Sequence, residues 1–110
     1  MLSTQLLCMR GDTLVGMIQV RHILNEYLEK YAGHIGYAVR PSERRKGYGA
    51  WMLGAVLPVC RDIGLDKIMV ACLDTNPASR KIILSWGGVY DRTVHQPEED
   101  VNLEQYWIKL

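Results

Sequence analysis

The segment HIGYAVRPSERRKGYGAWML, residues His34–Leu53, joins a predicted strand to a predicted helix through a basic loop that contains two glycines. Its first part is short, largely apolar and bounded by a glycine and a proline, which predicts a buried central strand over His34–Val39. After Gly49, apolar residues recur at helical spacing, which predicts a helix that runs to about Ile63. This order of strand, loop and helix decides the interpretation of the rest of the chain.

The loop between this strand and this helix has the composition of an anion-binding site. The first amide N–H groups of a helix lack intrahelical partners, and the positive end of the helix dipole lies behind them. Gly47 and Gly49 allow a tight turn and let a phosphate approach those amides, while Arg44, Arg45 and Lys46 add positive charge. The pattern predicts a pyrophosphate site; a solvated helix entry is the alternative.

Two common phosphate loops are excluded by spacing. A Walker loop needs G-x-x-x-x-G-K-[ST], and here the order of glycine and lysine is reversed. The dinucleotide fingerprint G-x-G-x-x-G fails because Met52 stands at the third glycine. The pattern that remains is R-x-x-G-x-G.

The N-terminal part of the chain predicts a hairpin followed by a helical segment. Two β-favouring runs, Thr4–Met9 and Thr13–Arg21, flank the turn sequence RGDT and are expected to pair antiparallel. Apolar and aromatic residues at spacings of four then predict a short helix or a helical turn over Ile23–Tyr31.

A second strand and a second helix are predicted after the first helix. Lys67–Leu73 is a buried-type strand, and its connection to the central strand through a helix predicts parallel pairing. The second helix is expected to begin with Asn76 as its N-cap and Pro77 as its first helical residue, and to end at Gly87.

The last part of the chain predicts two antiparallel strands. They lie within GGVYDRTVH, residues Gly87–His95, and NLEQYWIKL, residues Asn102–Leu110, around the polar connection Gln96–Asn102. With the preceding elements, the fold class is α/β, with a mixed sheet that carries helices on its faces.

Composition narrows the class of protein. A chain of 110 residues is expected to form one domain over residues 1–110. Its net charge of +1 argues against a nucleic-acid-binding protein, and no apolar run is long enough for a membrane span, so we expect a cytoplasmic protein. Cys8, Cys60 and Cys72 form no C-x-x-C pair, which predicts buried reduced thiols and neither a disulfide framework nor a metal site.

In this context, R-x-x-G-x-G after a strand and before a helix resembles the acetyl-coenzyme A loop of the GCN5-related N-acetyltransferase (GNAT) superfamily. The segment IMVACLDTNPASRKIILSWGG resembles the next strand and helix of that family, and QYWIKL is similar to the last strand of a bacterial branch of it. The resemblance covers nearly the whole chain and implies a GNAT-like acyl-CoA N-acyltransferase fold.

The resemblance implies that acetyl-CoA is the cosubstrate and that it lies between two parallel strands that splay apart. Main-chain groups of Val39 would bind the pantetheine arm, with Arg44 at the Gln/Arg position of the motif. Asn76 would touch the pantetheine, although helix capping alone also explains it, and Ser79 would lie near the nucleotide end. The amides that would hold the pyrophosphate are those of Arg45, Lys46, Gly47, Tyr48, Gly49 and Ala50.

The implied reaction is direct attack of a primary amine on the acetyl thioester, which needs a base for the amine and an acid for the leaving thiolate. The tyrosine that often serves as this acid is absent, because its position corresponds to Ile83. We predict His34 as a base and Tyr106 or Tyr37 as further catalytic groups, with structural roles as the alternative for all three.

The acceptor side is less defined. The acidic segment PEEDVNLE has the charge to attract a cationic amine, with a solvated loop as the alternative, and the acceptor is expected to be a small-molecule or peptide amine. The sequence begins at what resembles the second strand of the family. We therefore expect either a partner subunit that completes the acceptor site, which favours a homodimer, or a large substrate, or a shortened fragment. A coenzyme A-binding module without catalysis is the alternative function.

Overall fold

The computed structural model describes residues 3–110, so residues 1 and 2 of the predicted domain lie outside the described part. Six strands form one mixed sheet in the order β1-β2-β3-β4-β6-β5. The strands are β1 (Ser3–Arg10), β2 (Thr13–Arg21), β3 (Ile35–Val39), β4 (Lys67–Leu73), β5 (Val89–Gln96) and β6 (Val101–Lys109). The α-helices are α1 (Tyr48–Ile63) and α2 (Pro77–Ser85). The α/β class and the mixed sheet are therefore confirmed.

The predicted pairings are also confirmed. β1 and β2 form an antiparallel hairpin, and β3 and β4 are parallel. β5 and β6 form the terminal hairpin, in which β6 lies between β4 and β5. The connection between these two strands is shorter than predicted, because β5 extends to Gln96 and β6 begins at Val101.

The helix or helical turn predicted over Ile23–Tyr31 is present but begins later, at Glu26. A five-residue π-helical turn spans Leu28–Ala32, and Ile23 is 65% exposed. The side chain of Asn25 accepts a hydrogen bond from the Leu28 amide at 2.9 Å, so this residue caps the turn and delays its start. A local capping interaction thus overrides the apolar spacing on which the prediction rested.

The core lies between the sheet and the two α-helices. From α1 it contains Met52, Leu53, Val56, Leu57 and Cys60, which pack on apolar side chains of the central strands. Gly64, with φ of +105°, ends α1 in a left-handed conformation that suits glycine. The packing holds the N-terminus of α1 beside the end of β3.

The three cysteines are buried and free, as predicted. Burial raises the pKa of Cys60 and of Cys72 to about 11, so both thiols keep their protons at neutral pH. Among the helices of residues 3–110, none combines the length and the apolar character needed to cross a bilayer.

Candidate functional site

The two parallel strands separate soon after they meet. β3 and β4 pair at one position, Ile35 with Val70. Beyond it a cleft of about 1120 Å³ opens, lined by β3, the basic loop, the start of α1 and the start of α2. The cleft coincides with the splayed strands that the sequence resemblance implied.

The main chain of β3 presents unpaired groups to this cleft. The Arg21 amide donates to the His34 carbonyl at 2.7 Å, and the Arg40 amide donates to the Val15 carbonyl at 2.8 Å. Because antiparallel pairing alternates, the even-numbered residues of β3 bond to β2 and the odd-numbered ones point toward β4. The N–H and C=O groups of Tyr37 and the N–H of Val39 therefore face the cleft without a main-chain partner, whereas the Val39 carbonyl accepts a hydrogen bond from Arg44 Nε at 3.3 Å.

The loop before α1 has the geometry of an anion-binding nest. Arg45 and Gly47 both have positive φ, 65° and 85°. The Trp51 amide donates to the Gly47 carbonyl at 3.0 Å, and the amides before it belong to the first turn, which leaves them without intrahelical partners. Alternating left-handed residues turn successive N–H groups toward one concavity.

A buried carboxylate holds this loop against β1. Glu43 is 7% exposed, and its two oxygens accept from the Arg10 guanidinium at 2.7 and 2.9 Å. Lys46 donates to the same carboxylate at 2.8 Å. Hydrogen bonds from Arg10 and Lys46 lower the pKa of Glu43 to about 2. Lys46 therefore forms an ion pair with Glu43 within the loop, whereas Arg44 and Arg45 line the cleft.

The two loop glycines differ in their roles. At Gly47 a Cβ would meet nothing within 4 Å, but the positive φ disfavours other residues. At Gly49 a Cβ would lie 2.9 Å from Cδ1 of Ile82, so this glycine lets α1 pack closely against α2. The geometry supports an open approach for an anion at Gly47 and a packing role for Gly49.

The start of α2 supplies the opposite wall. The Asn76 side chain accepts a hydrogen bond from the Ser79 amide at 3.1 Å, which confirms its role as the N-cap, and both side chains line the cleft. Ser79 Oγ lies 2.6 Å from the Tyr37 hydroxyl. Burial raises the pKa of Tyr37 above its ordinary value, so the hydroxyl keeps its proton.

The structure does not bring the two main catalytic candidates into the cleft. His34 is 7% exposed, its Nδ1 accepts from the Met69 amide at 2.9 Å, and burial lowers its pKa. Tyr106 is buried and donates to Glu104 at 3.0 Å. Neither residue lines the cleft, because both are held in the packed sheet.

Ile83 and Cys72 have places that agree with a structural role. Ile83 is fully buried in the core, at the position where the resemblance implied a tyrosine acid. Cys72 lines the cleft, but burial and the nearby Glu104 carboxylate, 3.9 Å from its sulfur, raise its pKa. The thiol is therefore a poor nucleophile.

The other end of the cleft, which we call the acceptor end, was not found from the sequence as a site. It is lined by side chains from three separate elements: Arg21, Tyr27, Tyr31, Ala32, Gln96, Glu99 and Leu103. The Tyr27 and Tyr31 rings are 5.1 Å apart, and Gln96 donates to the Tyr27 hydroxyl at 2.7 Å. In the sequence, the signal for this end was the acidic segment PEEDVNLE, and its residue Glu99 lines the cleft.

A buried glutamine supports the acceptor end. Gln105 is fully buried, and its Nε2 donates to the carbonyls of Glu29 and Lys30 at 3.1 and 2.6 Å. Its Oε1 accepts from Arg92 at 2.9 Å. β6 thereby positions the π-helical turn that carries Tyr31.

Solved structures with the same architecture are acetyltransferases. A putative acetyltransferase from Salmonella typhimurium with its cofactor acetyl-CoA has a TM-score of 0.76 at 15% identity, over 96% of this chain and 64% of that one. A variant of the spermidine N-acetyltransferase from Vibrio cholerae gives 0.78 at 14% identity, over 97% and 65%. The GNAT domain of PAT from S. lividans gives 0.79 at 13% identity, over 98% and 61%.

The chain therefore spans less than two thirds of the length of each of these three structures. Among curated proteins, none matches the sequence at a significant level. The profile described as the acetyltransferase (GNAT) family matches residues 3–87, which include the nest and the cleft-lining residues of α2. The chain belongs to the acetyltransferase (GNAT) family.

Proposed function

We propose that this chain binds acetyl-CoA and transfers its acetyl group to a primary amine. The observation that carries the proposal is the nest at Arg45–Ala50 directly beside unpaired main-chain groups of β3. An anion and an extended amide-containing chain are the ligands that these two features bind. Both are present in coenzyme A, as its pyrophosphate and its pantetheine arm.

Each part of the cleft has a role in this proposal. The amides of Arg45–Ala50 hold the pyrophosphate, with Arg44 and Arg45 adding charge. Main-chain groups of Tyr37 and Val39 hold the pantetheine arm. When bound, acetyl-CoA supplies an activated acetyl thioester, and the chain orients it and excludes water from it.

Proton transfer is assigned to side chains that line the cleft. Tyr37 is the candidate acid for the leaving thiolate, because its hydroxyl is protonated at neutral pH and Ser79 fixes its position at 2.6 Å. Glu99 is the candidate acceptor of the amine proton. Of the two cleft-lining carboxylates, Glu43 is engaged by Arg10 and Lys46, and Glu99 forms no ion pair within residues 3–110.

Binding is tested first and turnover second. Calorimetric titrations with acetyl-CoA, coenzyme A and ATP come first, and failure of both CoA ligands to bind would rule out the proposal. Thiol release over a panel of amines follows. Coenzyme A binding without acetylation of any amine would favour the second candidate, a binding module, to which the burial of Ile83 gives some support.

Homodimerisation stays a prediction with its own test. β1 is an edge strand, and it exposes Leu7 and Met9 by 59% and 52%. Uncovered edge strands with apolar side chains favour pairing with another chain. We expect a dimer by light scattering at assay concentration, and a monomer would contradict the prediction.

A further inference from the structure

Arg21 stands at the acceptor end with unused hydrogen-bonding capacity. It ends β2, is half-buried and lines both the main cleft and an adjoining pocket of about 290 Å³. Its Nη1 donates to the Gly33 carbonyl at 3.1 Å. Within residues 3–110, no carboxylate lies within 4 Å of its guanidinium, so this cation has no protein counter-ion there.

The guanidinium lies at the point where the strands separate. A Cβ on Gly36 would be 2.9 Å from Nη2 of Arg21, so the absence of a side chain at Gly36 makes room for the guanidinium. Gly36 follows Ile35, the last residue of β3 that pairs with β4. A group bound to Arg21 therefore lies next to the start of the gap.

The charges around the cleft favour an anionic ligand group at both ends. Four cations line it: Arg21, Arg44, Arg45 and Lys81. Of the two carboxylates in the lining, Glu43 is neutralised by Arg10 and Lys46, which leaves Glu99. The pocket beyond Arg21 has no acidic side chain in its lining and offers two glutamines. A polyamine would meet more cations than free carboxylates in this cleft.

We propose that Arg21 binds a carboxylate of the acceptor, so that the acceptors are amino acids or similar amines with a carboxylate close to the amino group. This inference rests on the proposed acetyl transfer. A guanidinium recognises a carboxylate through two parallel hydrogen bonds, which fixes orientation as well as charge. The amino group of such an acceptor is held near the gap, in the cleft that Glu99 also lines.

Matched acceptor pairs test the inference. Thiol release from acetyl-CoA is measured with glycine, alanine and glutamate, with the corresponding amides glycinamide, alaninamide and isoglutamine, and with spermidine. We expect kcat/KM to be about tenfold higher for each carboxylate than for its amide. Preference for the amides or for spermidine would overturn the inference.

Variants of Arg21 separate recognition from a structural role. Arg21→Met is expected to remove the preference by lowering kcat/KM for the carboxylates about tenfold, while the amides change less than about twofold. Arg21→Lys keeps the positive charge but cannot form two parallel hydrogen bonds, so its kcat/KM for the carboxylates should lie between those of the wild type and Arg21→Met. Equal loss for carboxylates and amides would mean that Arg21 only supports the fold through Gly33, which overturns the inference. If Arg21→Met does not fold, Gly36→Ala, which displaces the guanidinium, gives the same comparison.

Binding measurements distinguish a failure of carboxylate recognition by Arg21 from a failure of acetyl transfer. Coenzyme A is titrated into the wild type and Arg21→Met, and equal affinities are expected because the nest is unchanged. If coenzyme A binds and no amine is acetylated, glycine and glycinamide are titrated into the protein saturated with coenzyme A. Glycine binding that is lost in Arg21→Met supports the inference, and equal or absent binding of the two overturns it. No coenzyme A binding at all would instead overturn the proposed function, and this inference with it.

Discussion

The two ends of the cleft are built from different parts of the polypeptide. The end that fits coenzyme A is mostly main chain, from β3 and the nest, which follow each other in the sequence, and the start of α2 adds Asn76 and Ser79. The acceptor end is made of side chains from β2, the π-helical turn and the β5–β6 hairpin. A site that binds its ligand through main-chain groups follows from the order of strands and helices and from the positions of glycines. A site that binds its ligand through side chains depends on how the fold brings distant residues together.

The largest effect is expected where the two ends meet, at Tyr37. Tyr37→Phe removes the hydroxyl that we assign as the acid, and general acids contribute about 100-fold or more to turnover. We expect kcat to fall about 100-fold, with the dissociation constant of coenzyme A unchanged, because the main chain of β3 is intact. Tyr90→Phe, which removes the hydroxyl of an exposed tyrosine that does not line the cleft, is the control. An unchanged kcat in Tyr37→Phe would exclude this role.

The next effect concerns the support of the acceptor end. Gln105→Leu removes the donor to the carbonyls of Glu29 and Lys30, and these two hydrogen bonds together contribute about 2 kcal/mol. We expect the free energy of unfolding, from urea denaturation, to fall by that amount. The exposed Gln5→Leu should change it by less than about 0.5 kcal/mol.

A rise in KM for the acceptor, without a change in coenzyme A affinity, would show that Gln105 serves one end only. Equal weakening of acceptor binding and coenzyme A binding would contradict the separation of the two ends.

At the coenzyme A end, a smaller effect is expected from Gly47→Val. A β-branched residue at a φ of 85° is strained by roughly 1–2 kcal/mol, and relief of the strain distorts the nest. We expect coenzyme A to bind about tenfold more weakly. Arg45→Ala, which removes one exposed charge, should cost less than about threefold. The reverse ranking would mean that side chains, and not amides, hold the anion.

The smallest effect concerns the ion pairs behind the nest. The pKa of Glu43 in the folded protein, about 2, lies below its ordinary value of 4.5. The ion pairs therefore stabilise the fold above about pH 4.5, and this contribution is lost as the pH falls toward 2. Glu43→Gln should lower the melting temperature at pH 7, and the difference from wild type should narrow below pH 4.5. A difference that is constant with pH would contradict this role.

Local signals in the sequence predicted the strands and helices around the nest well. β4 has the predicted bounds, Lys67–Leu73, and Asn76 caps α2 as expected, because turn and capping residues act on their immediate neighbours. The π-helical turn was misplaced because Asn25 caps it from a position that the apolar spacing did not reveal.

The catalytic candidates could not be ranked in the same way. The two-residue period of a strand shows which side chains share a face, but it does not show which groups will border a gap between strands. In the structure, His34 and Tyr106 are packed in the sheet, whereas Tyr37 borders the cleft. Arg21 and Glu99 are far apart in sequence, and only the sheet order brings both to one cleft.

The central claim is that a main-chain nest beside a gap in the sheet binds coenzyme A. It is tested most directly by calorimetric titration of the wild-type protein with coenzyme A and, in parallel, with pantetheine, which lacks the pyrophosphate. We expect saturable binding of one coenzyme A per chain and much weaker binding of pantetheine. Absence of coenzyme A binding, or equal affinity for the two ligands, would contradict it.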